Sequence, residues 1–142
     1  MKVRITPLRE GVELPAYQTP GSAAFDLAAS EAMTIEAHQL AYVPTGLIIA
    51  TPPGHVLILS ARSSLYKKKG LILANGIGII DNDYCGPTDE IKMALLNMKD
   101  QPVEIAKGER LLQGMIIPCE QAEFEEGPVL ADTARGGFGS TG

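Results

Sequence analysis

The sequence predicts an all-β domain assembled from many short strands, with very little helix. Two observations carry that expectation. Glycine (15) and proline (10) recur so often among the 142 residues that hardly a window is left for a helix of three turns. Between them lie short runs rich in Val, Ile, Leu and Tyr, and many such runs at close spacing are the pattern of a sandwich or barrel.

Residues 3–6 alternate as a strand does, and further strands are expected at 25–28, 34–37 and 40–43. Pro44-Thr45-Gly46 and Pro52-Pro53-Gly54 bracket the apolar run 47–50. Proline fixes φ and glycine permits positive φ, so this run is a strand between turns and a helix is excluded there. A strand at 56–60 precedes 65–69, the one stretch where a short helix is expected. Strands are expected again at 71–73, 91–96, 103–106, 111–117 and 122–125. From Asn75 an apolar strand runs through Ile79 and Ile80 into Asp81-Asn82-Asp83-Tyr84-Cys85-Gly86, which reads as a hairpin. The tail, Arg135-Gly136-Gly137-Phe138-Gly139-Ser140-Thr141-Gly142, has no apolar periodicity and is expected to be a mobile arm. The expected organisation is therefore a β domain at 1–132 and a glycine-rich lid at 133–142.

At 142 residues one core is the default. No apolar run approaches the ~18 residues needed to cross a bilayer, so no membrane partner is expected. The first residues lack the apolar block of a secretory signal and the Arg/Ser-rich pattern of a transit peptide, which makes a cytoplasmic location the simplest reading. Cys85 and Cys119 stand far apart with no C-x-x-C spacing and read as two reduced thiols. A formal net charge of −5 argues against broad nucleic-acid binding, which relies on a basic surface. Any phosphate site must be local, and the candidates are Arg62 with Lys67, Lys68 and Lys69 behind it, then Arg110, then Arg135.

Several segments could carry chemistry, each with a plainer explanation beside it. Asp81 ends an apolar strand, where a carboxylate could hold and deprotonate a water, although Asn-Asp clusters commonly just make turns. Arg62-Ser63-Ser64 sets a guanidinium fork beside two hydroxyls, a combination suited to phosphate oxygens and equally to a surface arginine with helix-capping serines. Asp26 interrupts the apolar run Ala23-Ala24-Phe25-Asp26-Leu27-Ala28 and needs a partner. Magnesium is one candidate, since that ion is often held through a single carboxylate, waters and substrate phosphates; an ion pair or a turn is another. In the tail, glycines would let backbone N–H groups approach phosphate oxygens and Phe138 could stack on a base, while a disordered end of no consequence fits the same residues. There is no G-x-x-x-x-G-K-[ST], H-E-x-x-H or G-x-S-x-G, so a P-loop, a zincin and an α/β-hydrolase are not expected. His38 and His55 are isolated and read as surface or packing residues.

Taken in order, these segments resemble the five motifs of the trimeric dUTP pyrophosphatase family over nearly the whole chain. The first is similar to Gly21-Ser22-Ala23-Ala24-Phe25-Asp26-Leu27, the second to Arg62-Ser63-Ser64, and the third to the stretch from Asn75 to Gly86. The fourth is similar to Gly108-Glu109-Arg110-Leu111-Leu112-Gln113, and the fifth to the tail. The resemblance implies a distorted jelly-roll or β-barrel of the dUTPase type, and a homotrimer with active sites at the subunit interfaces. It implies magnesium-dependent hydrolysis of dUTP to dUMP and diphosphate, which keeps uracil out of DNA and supplies dUMP for thymidylate synthesis.

In that reading Asp81 would activate the water that attacks the α-phosphorus, and Asp26 would bind Mg2+ through water. Arg62, Ser63, Ser64 and Gln113 would hold the phosphate chain. A hairpin from Asn75 through Ile79 and Ile80 to around Lys92 would read uracil with main-chain groups. Tyr84 would close its floor, leaving no room for a 2′-hydroxyl, while the narrow hairpin would exclude thymine's methyl group. Phe138 would cover the uracil as the tail closes, with Arg135, Gly139 and Ser140 reaching phosphates.

The sequence departs from the family pattern in three places. Ser64 stands where most members carry glycine, Pro87-Thr88-Asp89 is an insertion before the next strand, and two residues are missing between Arg135 and Gly-Gly-Phe. A dCTP deaminase, or a bifunctional deaminase and dUTPase, would share the fold and an Arg-Ser-Ser-Leu sequence. Its glutamate falls at Ala94 and its hairpin arginine at Ile79, so deamination lacks its expected proton carrier. A non-catalytic nucleotide-binding relative would lose the base or the tail, and both Asp81 and Phe138 are present.

Overall fold

Short runs of alternating apolar and polar side chains, cut by glycine and proline, become antiparallel strands in the computed structural model, which describes residues 1–137. In chain order these are β1 (Arg4–Pro7), β2 (Phe25–Ala28), β3 (Met33–Ile35), β4 (Leu40–Pro44), β5 (Leu47–Ala50) and β6 (His55–Ala61), followed by a short helix, α1 (Leu65–Lys69). Then come β7 (Leu71–Leu73), β8 (Gly78–Ile80), β9 (Lys92–Asn97), β10 (Val103–Ile105) and β11 (Arg110–Pro118).

The strands form four small sheets: β2-β11-β6-β8, β4-β9-β7, β1-β5 and β10-β3. This is an all-β fold of the jelly-roll type, distorted in that the sheets stay separate and do not close into one continuous barrel. They enclose a single core in which Leu57, Leu71, Met93, Leu95, Leu111 and Leu112 are fully buried. Each such side chain stabilises the fold by about 1.5–3 kcal/mol relative to exposure. Asn97 is buried at the end of β9, and its amide nitrogen lies 3.0, 3.1 and 2.9 Å from the carbonyls of Ile35, Glu36 and Gln101. Those bonds satisfy the amide and tie the sheet of β9 to that of β3.

Two expectations about elements are corrected. Residues 122–125 form no strand: everything from 119 to 137 is exposed and lies outside any strand or helix, and Phe124 is 95% exposed. An alternating segment needs a sheet edge to pair with, and this segment finds none within its own chain. The stretch from Asn75 to Lys92 is laddered at its base alone, where β7 pairs with β9 and the Ala74 N–H donates to the Ala94 carbonyl. Beyond it β8 pairs with β6, whereas β9 pairs with β4 and β7, so β8 and β9 belong to different sheets.

The two faces of the four-stranded sheet divide the labour. Phe25, Leu27, Leu112, Leu57 and Leu59 point into the core. The alternate positions Asp26, Gln113, Ser60, Ile58, Met115 and Ile79 lie on the outward face, as the registers of β2, β11, β6 and β8 require. Among the described residues no helix is long and apolar enough to cross a membrane.

Candidate active site

The outward face of β2, β11 and β6 brings three motifs together. Gln113 on β11 stands opposite Asp26 on one side and Ser60 on the other, and its side-chain nitrogen donates to the Ala61 carbonyl at 3.2 Å. Beyond the end of β6, Arg62 Nε lies 2.9 Å from Asp26 Oδ1, and Arg62 Nη1 donates to the Arg110 carbonyl at 3.1 Å. Arg110 Nη1 lies 3.2 Å from Asp26 Oδ2.

The Asp26 carboxylate is only 11% exposed, against 31% and 46% for the two arginines. The contact from Arg110 is close enough for charge attraction but is not aligned as a hydrogen bond, so Asp26 Oδ2 is a buried oxygen with no hydrogen-bond partner. The ion pair that was one reading of Asp26 is thus present in the single chain. Two guanidinium groups, held by a near-buried acid, make a fixed positive site of the kind that holds phosphate oxygens.

Ser64 occupies the N-cap position of α1 but makes no side-chain cap hydrogen bond, so the helix-capping explanation of the serines does not hold for it. α1 ends at Gly70, whose φ of 68° is left-handed, and Lys67, Lys68 and Lys69 fill its last turn. Lys69 is occupied by Glu109 at 2.9 Å and by the Glu104 carbonyl at 2.8 Å. Arg110, absent from the roles the resemblance implied, belongs to the cluster. Its signal was a lone basic residue opening the strand that pairs with the Asp26 strand.

A second group of expected residues lies elsewhere. Asn75, Ile79, Asp81, Tyr84 and Lys92 are exposed along the open arms that leave β8 and enter β9, and Ile80 is half-buried against the core. Among the described residues β8 is the last strand of its sheet, so one of its edges has no neighbouring strand there. Asp81 follows it directly, and its carbonyl accepts the Tyr84 N–H at 3.2 Å to close a turn through the main chain. The inserted Pro87-Thr88-Asp89 folds as a turn of its own: Gly86 N–H donates to Asp89 Oδ2 at 2.7 Å and Asp89 N–H to the Gly86 carbonyl at 3.2 Å. The insertion is absorbed there, and Lys92 opens β9. Arg135 is exposed in the tail, and Phe138, Gly139 and Ser140 lie outside the described residues.

The two groups do not meet within one chain. Ile80 stands opposite Leu57, so Asp81 falls level with Val56, whereas Arg62 lies past the far end of β6. Six residues of strand separate them, roughly 20 Å at a rise of about 3.3 Å per residue. A groove of about 620 Å³ beside the arginine cluster has Asp26, Arg110 and Lys107 in its wall, but no residue of the Asn75 to Lys92 stretch lines it.

Comparison with known proteins places the chain. A family model described as dUTPase matches residues 10–142. A "Deoxyuridine 5'-triphosphate nucleotidohydrolase" from Beijerinckia indica is 44% identical over 94% of this chain and 85% of its own length. One of the same name from Desulfitobacterium hafniense is 43% identical over 100% of this chain and 97% of its own. Among solved structures, a dUTPase from Streptococcus mutans superposes with a TM-score of 0.80 at 35% identity, covering 87% of this chain and 100% of that one.

Proposed function

We propose, from the premise that this chain belongs to the dUTPase family and hydrolyses dUTP to dUMP and diphosphate, that each active site forms between copies of the chain in a homotrimer. Asp81 of one copy acts as general base, and the Arg62 cluster of another holds the phosphates. The observation that carries this reading is the separation of roughly 20 Å between Asp81 and Arg62 along β6. That main-chain separation is long for a single triphosphate, which favours a second copy supplying one end. An apolar stripe on the same outward face, with Ile58 and Met115 half-buried and Ile117 and Ile79 exposed, supports burial against another copy.

In this site the Asp81 carboxylate accepts a hydrogen bond from a water and takes its proton as the oxygen attacks the α-phosphorus. The bond from that phosphorus to the bridging oxygen breaks, and diphosphate leaves. Arg62, Ser63, Ser64 and Gln113 hold the phosphate oxygens and offset the charge that develops on them. Main-chain groups at Asn75, Ile79 and Ile80 read uracil, the free edge of β8 being suited to that, with Lys92 at the start of the return arm. Tyr84 lies beneath the sugar and excludes a 2′-hydroxyl. The lid, 133–142, brings Arg135, Phe138, Gly139 and Ser140 over the nucleotide and excludes water.

Magnesium fits this site in one role. Among the described residues no cluster of three acidic, histidine or cysteine side chains could cage an ion, but Asp26 Oδ2, which faces Arg110 at 3.2 Å without a hydrogen bond, would accept one from an ion's water once the site opens to substrate. When bound to the phosphates, the ion supplies charge neutralisation. A cytoplasmic location completes the reading.

Subunit mixing tests it. Asp81→Asn and Arg62→Ala proteins, each inactive alone, are unfolded together and refolded as mixed trimers. If a site takes Asp81 from one copy and Arg62 from another, about a quarter of the sites in a random mixture are whole and activity returns. A site built within one chain gives no recovery, and that result would end the proposal.

A further inference from the structure

Glu90 is an acid in a place where acids are rarely found. It is 8% exposed, two residues before β9, on the return arm of the Asn75 to Lys92 stretch. Its carboxylate accepts a hydrogen bond from Arg9 Nη1 at 2.7 Å and from the Gly46 N–H at 2.8 Å, with Arg9 Nη2 3.4 Å from its second oxygen. Burial raises its pKa, but the Arg9 and Gly46 hydrogen bonds and the charges of Arg9 and Lys92 outweigh that and hold it below the ordinary carboxylate range.

Four segments meet at this point. Arg9 follows β1 and also donates to the Ser30 hydroxyl at 3.0 Å, and that hydroxyl donates to the Pro44 carbonyl at 3.2 Å. The turn Thr45-Gly46 joins β4 to β5, and the Gly46 carbonyl receives the Leu8 N–H at 2.8 Å. Ile91 continues the suture, its N–H donating to the Leu47 carbonyl at 2.9 Å and its carbonyl receiving the Thr45 hydroxyl at 2.7 Å. The loop closes on the same residue from the other side, since the Tyr84 hydroxyl donates to the Glu90 carbonyl at 3.4 Å. The opposite arm needs no such anchor, because β8 is already laddered to β6.

The stretch is laddered at its base, where β7 pairs with β9 and the Ala74 N–H donates to the Ala94 carbonyl at 2.9 Å, but beyond that point β8 and β9 are not bonded to each other, so no ladder between them sets the gap between β8 and the return arm. That gap is set by whatever fixes the return arm to the body of the protein. We propose that Glu90 is a positioning residue for substrate selection: its pairing with Arg9 and Gly46 fixes the return arm, and with it Tyr84, at the separation from β8 that admits uracil and rejects thymine. Glu90 touches no substrate and acts through Tyr84 and the main chain. This rests on the reading of the Asn75 to Lys92 stretch as the nucleoside pocket.

The test measures kcat and KM for dUTP and dTTP in Glu90→Gln, Arg9→Gln, the double variant and Tyr84→Ala, each alongside thermal unfolding. Glu90→Gln keeps the shape and an acceptor for the Gly46 N–H but loses the charge pair. Its KM for dUTP should rise about tenfold with kcat within about twofold, and its preference for dUTP over dTTP should fall by a similar factor. Arg9, 42% exposed at its side chain, is the milder site to alter. Arg9→Gln should move KM the same way, and the double variant should be no worse than Glu90→Gln alone. Lowered melting temperatures with KM and discrimination at the native values would overturn the proposal, leaving Glu90 a purely structural anchor. So would a fall in kcat at native KM. If Glu90→Gln does not fold, Arg9→Gln alone decides by the same criteria. Should Tyr84→Ala leave KM unchanged, the pocket reading itself fails; should it raise KM while the Glu90 and Arg9 variants do not, only the positioning role does.

Discussion

At the scale of single residues, the two carboxylates singled out from the sequence hold opposite positions in the chain. Asp26 is nearly buried and gripped by Arg62 and Arg110, whereas Asp81 is exposed beyond the end of β8. The first arrangement suits a residue that orders positive charge, and the second is what the proposed role of Asp81 as base in a site shared between copies requires. Asp81→Asn should therefore lower kcat on dUTP by about 10²–10⁴-fold, with unfolding temperature and assembly mass unchanged, because the side chain is exposed at the end of β8. Product chromatography against the native enzyme checks this, and undiminished turnover would remove Asp81 from the role of base. Both carboxylates were legible as candidates because each interrupts or ends an apolar run. The partners of Asp26 were not, since Arg62 and Arg110 reach it only through the pairing of β2, β11 and β6.

At the scale of elements, proline and glycine punctuation located most strands to within a residue or two, and β2, β5, α1 and β7 begin and end where expected. Local pattern failed where pairing is non-local. The Asn75 to Lys92 stretch reads as a hairpin by composition, but its arms belong to different sheets, and which edge a strand joins is decided by packing and not by its own residues. The turn at Gly46 shows the same dependence. Its φ is 70°, and a Cβ there would lie 2.7 Å from Val12 Cγ2 and 2.9 Å from Ser30 Cβ. Gly46→Ala combines left-handed strain with overpacking and should cost roughly 2–4 kcal/mol. Denaturant unfolding measures this, and a loss below about 0.5 kcal/mol would mean that the four-way junction yields easily.

At the scale of the whole molecule, the sheets end at Pro118 and the remaining described chain, 119–137, is exposed, with Phe124, Val129 and Leu130 each at least 90% accessible. The body does not rest on this arm. Removing 134–142 should leave stability within about 0.5 kcal/mol of native and, on the proposed lid role, nearly abolish turnover. Parallel melting and activity measurements on the truncated protein test both halves, and full activity without the tail would exclude the lid role.

The sequence by itself determined the class of fold, because turn chemistry and side-chain alternation are local properties that each short segment carries on its own. It also carried the resemblance to the dUTPase family, because five ordered motifs are a property of the chain itself, and a family model matches residues 10–142. Only the tertiary structure decided that Asp26 sits between two arginines, that the arms around Asp81 open toward separate sheets, and that Asp81 and Arg62 stand at opposite ends of β6. These are distances between residues remote in the chain, fixed by strand register and by a shared core, and no local pattern encodes them.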